Sequence, residues 1–409
     1  MGYLEGFRIK KADGGLGRTE DTADNVFLLV GAIPTTGTQL TADKAELLIQ
    51  LKDAEALGIT ESFDANNHTL AHHHLSEVFR LAPACSIYFL PVEAGVKLQD
   101  KAEVILKTLR GNSDIKGIAA FGFDNDLSTV AADVDQLQTA IIDAVKKDGI
   151  LIDFLLLEGK GKEGLAINSL PNLKEKAAPQ VSVVIAQDSA IAALSEHYKY
   201  YAAIGAALGM LAVRNVSESL GSVDIETKPE DAKGGSTYPL TDTGRKRFIS
   251  ASISTGVSTD ALSNEQLKLL KDRGYIIAGS YPDTAGIYFS AAPTCTSKAS
   301  DYSYIQNNRV WNKAVRILRR TTTPRIQAKL PKDPTTGYLK DTTVTSLQEL
   351  ASKAIEKQML TTGEIDGLKV SISPKQVVDE DKPLVAVLRI VMPDILYIIE
   401  GNVGLTNKL

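Results

Sequence analysis

Short, nearly uninterrupted apolar runs recur through the first half of this chain and constrain its fold more than any other feature. Apolar runs of this length are typical of strands that are buried on both faces of a sheet. Segments with helical periodicity separate the runs, and such alternation of strand and helix predicts a mainly parallel sheet. We therefore predict an α/β fold with a mainly parallel central sheet and flanking helices. The predicted strands are Val26–Ile33, Ile87–Val92, Ile118–Phe123, Ile150–Leu157 and Val181–Ala186.

Periodic apolar positions, ended by glycines or prolines, predict where the helices lie. They are predicted over 42–56, 70–81, 101–109, 130–147, 189–211, 264–272, within 301–320, and over 344–359.

Both ends of the chain depart from this pattern. Residues 1–24 contain five acids and four bases without stable periodicity, which indicates an extended N-terminal arm. The last part is rich in strands, with candidates at 367–373, 384–392 and 395–403, and little chain remains to cover their edge. An uncovered edge strand invites aggregation unless pairing is its purpose, so we expect this β-rich region to pair with other subunits.

These observations predict three parts in the chain. They are an arm over 1–24, an α/β core over 25–320 with a break between two subdomains near 214–250, and a linker plus α+β C-terminal region over 321–409.

Composition excludes several classes of protein. The 409 residues include 45 Lys and Arg and 50 Asp and Glu, and a net charge of −5 gives no general attraction to nucleic acid or anionic membranes. Two cysteines cannot form a disulfide framework or a cysteine zinc site, so a reducing compartment is expected. The longest near-apolar run, Ala202–Val213, is shorter than the ~20 residues of a membrane-spanning helix. We expect a cytoplasmic protein without direct membrane insertion.

The motif Gly159-x-Gly161-x-x-Gly164 follows the strand predicted over Ile150–Leu157. This is where a dinucleotide-binding turn would lie, and it leaves a nucleotide-binding enzyme as an alternative function. Such a turn should open a helix, whereas Pro171 and Pro179 leave no room for a long one. A solvent-exposed loop is the favoured interpretation, and no cofactor is predicted.

Four of the five histidines fall together at His68, His72, His73 and His74. The i, i+4 pair His68 and His72 has a spacing that can bind a metal on a helix, but no further ligand is evident nearby. A solvated first turn of a helix is therefore favoured over a metal site.

Nucleophilic catalysis finds little support in the sequence. Cys85 precedes a predicted strand and is expected in the core, whereas Cys295 lies in a loop where it would be exposed. No GxSxG motif is present. We predict neither catalytic nor metal-binding residues, and we expect that the protein is not an enzyme.

Lys313, Arg316 and Arg320 share one face of the helix predicted within 301–320. They could form an ordinary solvated face or a surface that meets an acidic partner. Nucleic acid is a poorer candidate because aromatic residues for base stacking are missing.

Several stretches, taken in order, resemble the contractile tail sheath proteins of phages and related injection systems, in particular a compact branch found in prophages and phage-tail-like particles. The resemblance extends along nearly the whole chain. The stretches are NVFLLVGAIP, HHHLSEVFRLAPACSIYFLPV, DRGYIIAGSYPDTAGIYFS, DYSYIQNNRVWNKAVRILRR and IVMPDILYIIEGNVGLTNKL.

The resemblance implies a structural subunit that forms stacked rings around an inner tail tube and contracts to drive the tube through a target envelope. It implies baseplate and terminator proteins as further partners. It also implies assembly in the cytoplasm of a bacterial cell, followed by residence in a virion tail or injection particle. Lys313, Arg316 and Arg320 would then face the tube. Strand exchange between subunits would use Tyr3, Phe7, Ile9, Leu388, Ile390, Ile395, Tyr397 and Ile399.

Two rival classes stay open at this point. One is the α/β nucleotide-binding enzyme that would use the loop Gly159–Gly164. The other is a different self-assembling particle protein, such as a tail tube or capsid element, although such proteins are typically richer in β-structure than this chain.

Overall fold

The computed structural model describes residues 24–379 and 381–401. Strands β1–β15 are Val26–Ala32, Glu46–Leu48, Ser86–Val92, Gly117–Phe121, Leu155–Glu158, Ala177–Ala178, Val181–Val184, Ala186–Asp188, Ala251–Ile253, Tyr275–Ile276, Ala278–Tyr281, Thr284–Phe289, Cys295–Thr296, Gly367–Ile372 and Ala386–Val391. Helices α1–α11 are Leu51–Ala56, Glu61–Asn67, Ala71–Leu81, Ala102–Gly111, Val130–Leu137, Ala144–Lys147, Ser189–Ala192, Ile204–Val213, Asn264–Asp272, Ile305–Thr322 and Asp341–Ile355.

A seven-stranded sheet forms the centre of the molecule, with the strand order β10-β7-β5-β4-β1-β3-β2. All neighbours in it are parallel except β2, which pairs antiparallel with β3 at one edge. Strands β1, β4, β5 and β7 are buried along their whole length, because helices cover both faces. The predicted mainly parallel α/β sheet is confirmed.

Side-chain alternation along β1 divides the core into two layers. Phe27 and Leu29 point to the layer that α3 and α8 cover, whereas Leu28 and Val30 point to the layer of α4 and α5. The two layers are continuous apolar clusters on opposite faces of the sheet.

Close contact between α3 and α8 depends on a glycine. A Cβ atom at Gly205 would lie 2.3 Å from the backbone oxygen of His74 and 2.5 Å from its Cα. Only a residue without a side chain permits this approach of the two helices.

Some predicted boundaries were wrong. The helix expected over 42–56 begins only at Leu51, since Glu46–Leu48 pairs with β3 as an edge strand. The helix expected over 189–211 is interrupted between α7 and α8. The strand expected over Ile150–Leu157 pairs only over Leu155–Glu158.

The C-terminal part packs an antiparallel hairpin of β14 and β15 against α10 and α11. The apolar cluster between them contains Val310, Ala314 and Ile317 of α10, with Ile355 and Met359 from the end of α11 and the turn after it. These contacts join the hairpin to the core through α10.

Candidate assembly surface

The outer edge of β15 lacks a strand partner within 24–379 and 381–401. Its inner neighbour β14 pairs with it in register from Gly367 opposite Val391 to Ile372 opposite Ala386. Around this hairpin Val385, Val387 and Val391 have 58%, 48% and 59% of their surface exposed. An apolar edge strand of this kind is a template for pairing with another chain.

The segment after the hairpin, residues 393–401, has no regular secondary structure and forms no strand pairing with the rest of the described chain. Leu396, Ile398 and Ile399 in it are 75%, 81% and 80% exposed. These three large apolar side chains lie within four positions of the chain and are mostly exposed. A patch of this kind marks an interaction site rather than a solvated surface. The strand predicted over 395–403 is not formed over 395–401, and the last two residues of that prediction lie outside the described chain.

Tyr397 fastens this segment to the core. Its ring stacks on Tyr304 with 5.4 Å between ring centroids. Partial burial is the main reason that its pKa rises to about 12. The contact brings the exposed apolar side chains next to the N-terminal end of α10.

Lys313 is buried and joins three parts of the chain. Its Nζ lies 2.6 Å from Oδ2 of Asp24, the first described residue, and 2.6 Å from Oε1 of Glu364, just before β14. Only 8% of its side chain is exposed. Burial raises the pKa of Glu364, while Lys313 opposes this shift. Lys313 therefore connects the start of the described chain to the C-terminal hairpin.

Arg316 forms a second internal ion pair on the same helix face. Its Nη2 donates to Oδ1 of Asp153 at 2.5 Å and to the backbone oxygen of Leu151 at 2.8 Å. Asn312 also donates to Asp153, which is 2% exposed. The sequence analysis did not identify Asp153. A single carboxylate within the apolar run ILIDFLLL could have indicated a buried ion pair, because a buried charge needs a partner.

The three basic residues predicted to share one face thus differ in their surroundings. Lys313 and Arg316 are held in ion pairs within the chain, while Arg320 lies at the surface and donates to Oε1 of Gln358 at 2.5 Å. That this face meets an inner tube stays a prediction.

The residues predicted for strand exchange also separate into groups. Leu388 and Ile390 point inward to the cluster beside α10, Ile395 is half-buried, and Tyr397 and Ile399 are exposed. Tyr3, Phe7 and Ile9 lie outside the described residues.

The loop Gly159–Gly164 does not have the geometry of a nucleotide-binding turn. The next α-helix in the described chain is α7, after three further strands. A Cβ at Gly161 would lie 2.0 Å from the backbone oxygen of Ser254, and Ser254 Oγ donates to the oxygen of Gly159 at 2.5 Å. The glycines permit close packing of two backbone segments and leave no space for a phosphate.

The crevice in which doubly wound sheets bind ligands is also filled. Strand order reverses between β1 and β4, and ligands of such folds bind beyond the carboxyl ends of strands at this point. Here the Glu158 carboxylate accepts hydrogen bonds from the backbone N–H groups of Gly122 at 2.7 Å and Ala202 at 3.0 Å. Burial raises the pKa of Glu158. This carboxylate supports the fold by satisfying buried donors.

The histidine cluster is mostly internal, so its interpretation as a solvated turn was wrong. His72, His73 and His74 are buried at the start of α3, and Nδ1 of His74 accepts a hydrogen bond from the backbone N–H of Gly205 at 3.2 Å. Burial lowers the pKa of His73 to about 3. His68 stacks on His197 with ring centroids 3.8 Å apart. The cluster packs α3 against α8 and against the segment between α7 and α8.

The two cysteines are both buried. Cys85 lies in the core as predicted, but the expectation of an exposed Cys295 was wrong, because it forms the short strand β13 beside β6. Burial raises the pKa of each thiol to about 12, which makes both unreactive.

Within the described residues, no group of three or more histidine, cysteine, aspartate or glutamate side chains has the arrangement of a metal site. No helix in the same residues is long and apolar enough to cross a membrane.

Solved structures share this fold over nearly their full length. A chain of the anti-feeding prophage baseplate superposes with a TM-score of 0.60 at 14% identity, covering 99% of this chain and all of that one. A chain of the sheath complex of an extracellular contractile injection system, PVC, in its contracted state gives a TM-score of 0.60 at 13% identity, covering 100% and 98%. A sheath tail protein from Desulfitobacterium hafniense gives 0.49 at 9% identity, covering 95% and 100%.

The chain therefore shares its fold with the baseplate chain and the sheath-complex chain, and contractile tail sheath proteins are also the family that its sequence resembles. The chain belongs to the DUF2586 family, whose N-terminal domain matches residues 4–293 and whose C-terminal domain matches residues 301–409. No curated protein matches it in sequence. The two structural neighbours with a TM-score of 0.60 are a chain of a baseplate and a chain of a contractile sheath complex.

Proposed function

We propose that the chain is a structural subunit of a contractile tail or injection system that polymerises as stacked rings around an inner tube. Contraction of this sheath would drive the tube through a target envelope. Assembly would take place in the cytoplasm of the producing bacterial cell, with the baseplate, terminator and inner tube proteins as partners. The full-length similarity to components of two contractile particles supports this role.

The observation that carries the proposal is the unpaired apolar edge at the C-terminal end of the described chain. β15 has a free edge within the described chain, and the neighbouring tail exposes Leu396, Ile398 and Ile399. A chain that remained alone would present an aggregation site here. A sheath subunit instead needs such an edge, since strands added from neighbouring subunits connect the rings through backbone hydrogen bonds.

In this mechanism each subunit supplies its arm, residues 1–24, to the hairpin of a neighbour. A backbone hydrogen bond contributes only about 0.5–1.5 kcal/mol net, but an added strand repeats it several times and a ring repeats the strand at every subunit. Connections at extended termini permit the globular cores to rotate relative to one another during contraction. The hydrophobic packing of β14 and β15 on α10 keeps the receiving strand in place.

Replacing Leu396, Ile398 and Ile399 together with serine tests the tail. Because these side chains are exposed, we expect an unchanged unfolding midpoint but loss of long polymers in negative-stain images of concentrated protein with its inner tube protein. The matched control replaces three exposed threonines, Thr335, Thr336 and Thr361, with serine and should assemble normally. Polymers of normal length from the tail variant would contradict this role.

Deleting residues 1–20 tests the arm independently. The described core does not include these residues, so we expect a folded, soluble monomer that forms no long sheath. Circular dichroism and size-exclusion chromatography measure folding, and electron microscopy measures polymer length. Normal polymers from this deletion would exclude arm exchange.

A further inference from the structure

A cleft of about 470 Å³ opens between α9, the segment that leads into α10, and the exposed residues 393–401. Its lining is rich in positive charge. Four lysines lie in it, namely Lys174, Lys268, Lys271 and Lys298. Among the described residues that line the cleft, Asp272 is the one acid, and its Oδ1 lies 2.5 Å from Nζ of Lys298. The other three lysines therefore share a cleft with no carboxylate of their own.

Lys174 is the most enclosed of these four cations, and it is half-buried. Its Nζ donates to the backbone oxygens of Thr294 at 3.0 Å and Ser303 at 3.3 Å. The same atom lies 5.6 Å from the centre of the Tyr304 ring. Burial lowers the pKa of Lys174 to about 8. These contacts fix the ammonium group at the cleft but supply only partial negative charge, and a partly desolvated cation is stabilised further when an anion completes its surroundings.

The acids nearest to the cleft along the chain do not complete these surroundings. Those within three positions of a lining residue, besides Asp272, are Glu175, Glu265, Asp283, Asp301, Asp394 and Glu400. Neither these acids nor any other acid in the described chain has a carboxylate oxygen within 4.0 Å of Nζ of Lys174, Lys268 or Lys271. Three positive charges at the cleft are thus left without an ion pair in the described part of the chain.

We infer that this cleft binds a carboxylate-bearing segment of a second copy of the chain. The inference rests on the proposed function, because it assigns a further contact between sheath subunits. Lysine ammonium groups act as point charges that accept a carboxylate from several directions, so three of them around one cleft suit an acidic side chain that approaches from outside. The ring of Tyr304 beside Lys174 adds an apolar surface for the stem of that side chain.

Two observations favour a second copy over another partner. Apart from the four lysines and Asp272, the chain contains 49 Asp and Glu but 41 Lys and Arg, so a second copy carries an excess of acids outside its own cleft. In addition, Ile398 lines the cleft and is 81% exposed, so the cleft adjoins the apolar segment that we propose to be buried between copies. One neighbouring subunit would then cover an apolar centre and a charged rim, as protein interfaces commonly do.

Charge reversal by Lys268→Glu with Lys271→Glu tests the cleft. Both lysines are exposed, so we expect an unchanged unfolding midpoint. At low salt the protein concentration needed for assembly on the inner tube protein should rise at least about tenfold, and about 1 M salt should remove most of this difference. The control Lys52→Glu with Lys107→Glu makes the same change of charge at exposed positions of α1 and α4. An effect of the cleft variant no larger than that of the control would overturn the inference.

A carbodiimide identifies the occupant, because it joins a lysine amine to a carboxylate only where the two groups are in contact. Full-length protein is assembled on its tube protein from equal amounts of unlabelled and isotope-labelled copies, and the coupled peptides are identified by mass spectrometry. We expect Lys174, Lys268 or Lys271 to be joined to an aspartate or glutamate, with peptides of mixed label among the products.

The other outcomes separate this inference from the proposed function. Coupling of these lysines only within one label would assign the occupant to the same chain, and coupling to the tube protein would assign it to the tube. Polymers of normal length in which these lysines stay uncoupled would leave the cleft empty. Each of these three results would overturn the inference while the proposed function stands, whereas native protein that forms no polymer with its tube protein would overturn both.

Discussion

Replacing Lys313 with methionine should lower the free energy of unfolding by about 3–5 kcal/mol, because it leaves the buried Glu364 carboxylate without its cation. Methionine keeps most of the side-chain volume, so the decrease in the free energy of unfolding would come from removal of the charge and not from a new cavity. Urea denaturation of the full-length monomer measures it. The exposed pair of Lys353 and Glu349 supplies the control, since Lys353→Met should cost less than about 1 kcal/mol.

The deficit of the Lys313→Met variant should depend on pH. Burial raises the pKa of Glu364 even beside Lys313, and loss of the cation raises it further. Glu364 therefore binds a proton more tightly in the folded variant than in the folded native protein. As the pH falls and Glu364 is protonated, the difference in unfolding free energy between the variant and the native protein becomes smaller. A deficit below about 1 kcal/mol at neutral pH, or one that grows in acid, would contradict the role of Lys313.

Replacing Gly205 with alanine should destabilise the protein by about 3 kcal/mol, at the upper end of the usual cost of overpacking. The added Cβ would lie 2.3 Å from the backbone oxygen of His74, and a backbone atom cannot move aside as a flexible side chain can. Helices α3 and α8 must therefore separate. Urea denaturation again measures the loss.

Gly111→Ala is the matched control for this change. Gly111 ends α4, and a Cβ there would meet nothing within 4 Å. Alanine is the better helix former, so this variant should be neutral or more stable by up to about 1 kcal/mol. Equal effects of the two substitutions would show that the α3–α8 contact does not depend on Gly205.

The sheet could be predicted from the sequence because its signal is local. The runs VFLLVGA and GIAAFGF are apolar throughout and short, which is typical of a strand with both faces covered. The predicted strand Ile150–Leu157 was too long at its N-terminal end, where the side chain of Asp153 contacts Asn312 and Arg316 of α10. That contact joins residues more than 150 positions apart, which no local pattern reveals.

The candidate surface was predictable only in part. The sequence shows a β-rich end. It does not show that Lys313 is buried while Arg320 is exposed, because helical spacing places both on one face. The half-buried Asp24 and the buried Glu364 lie far from α10 in the chain and decide which of these cations is internal. For the same reason the histidines of α3 looked solvated, although α8 covers them.

A cryo-EM structure of the full-length chain assembled with its inner tube protein tests the central claim, that the C-terminal hairpin receives strands from neighbouring subunits, most directly. We expect stacked rings in which the free edge of β15 is hydrogen-bonded to an extended segment from another subunit, with Leu396, Ile398 and Ile399 buried between copies. Rings in which that edge and those side chains stay in solvent would contradict the proposed strand exchange.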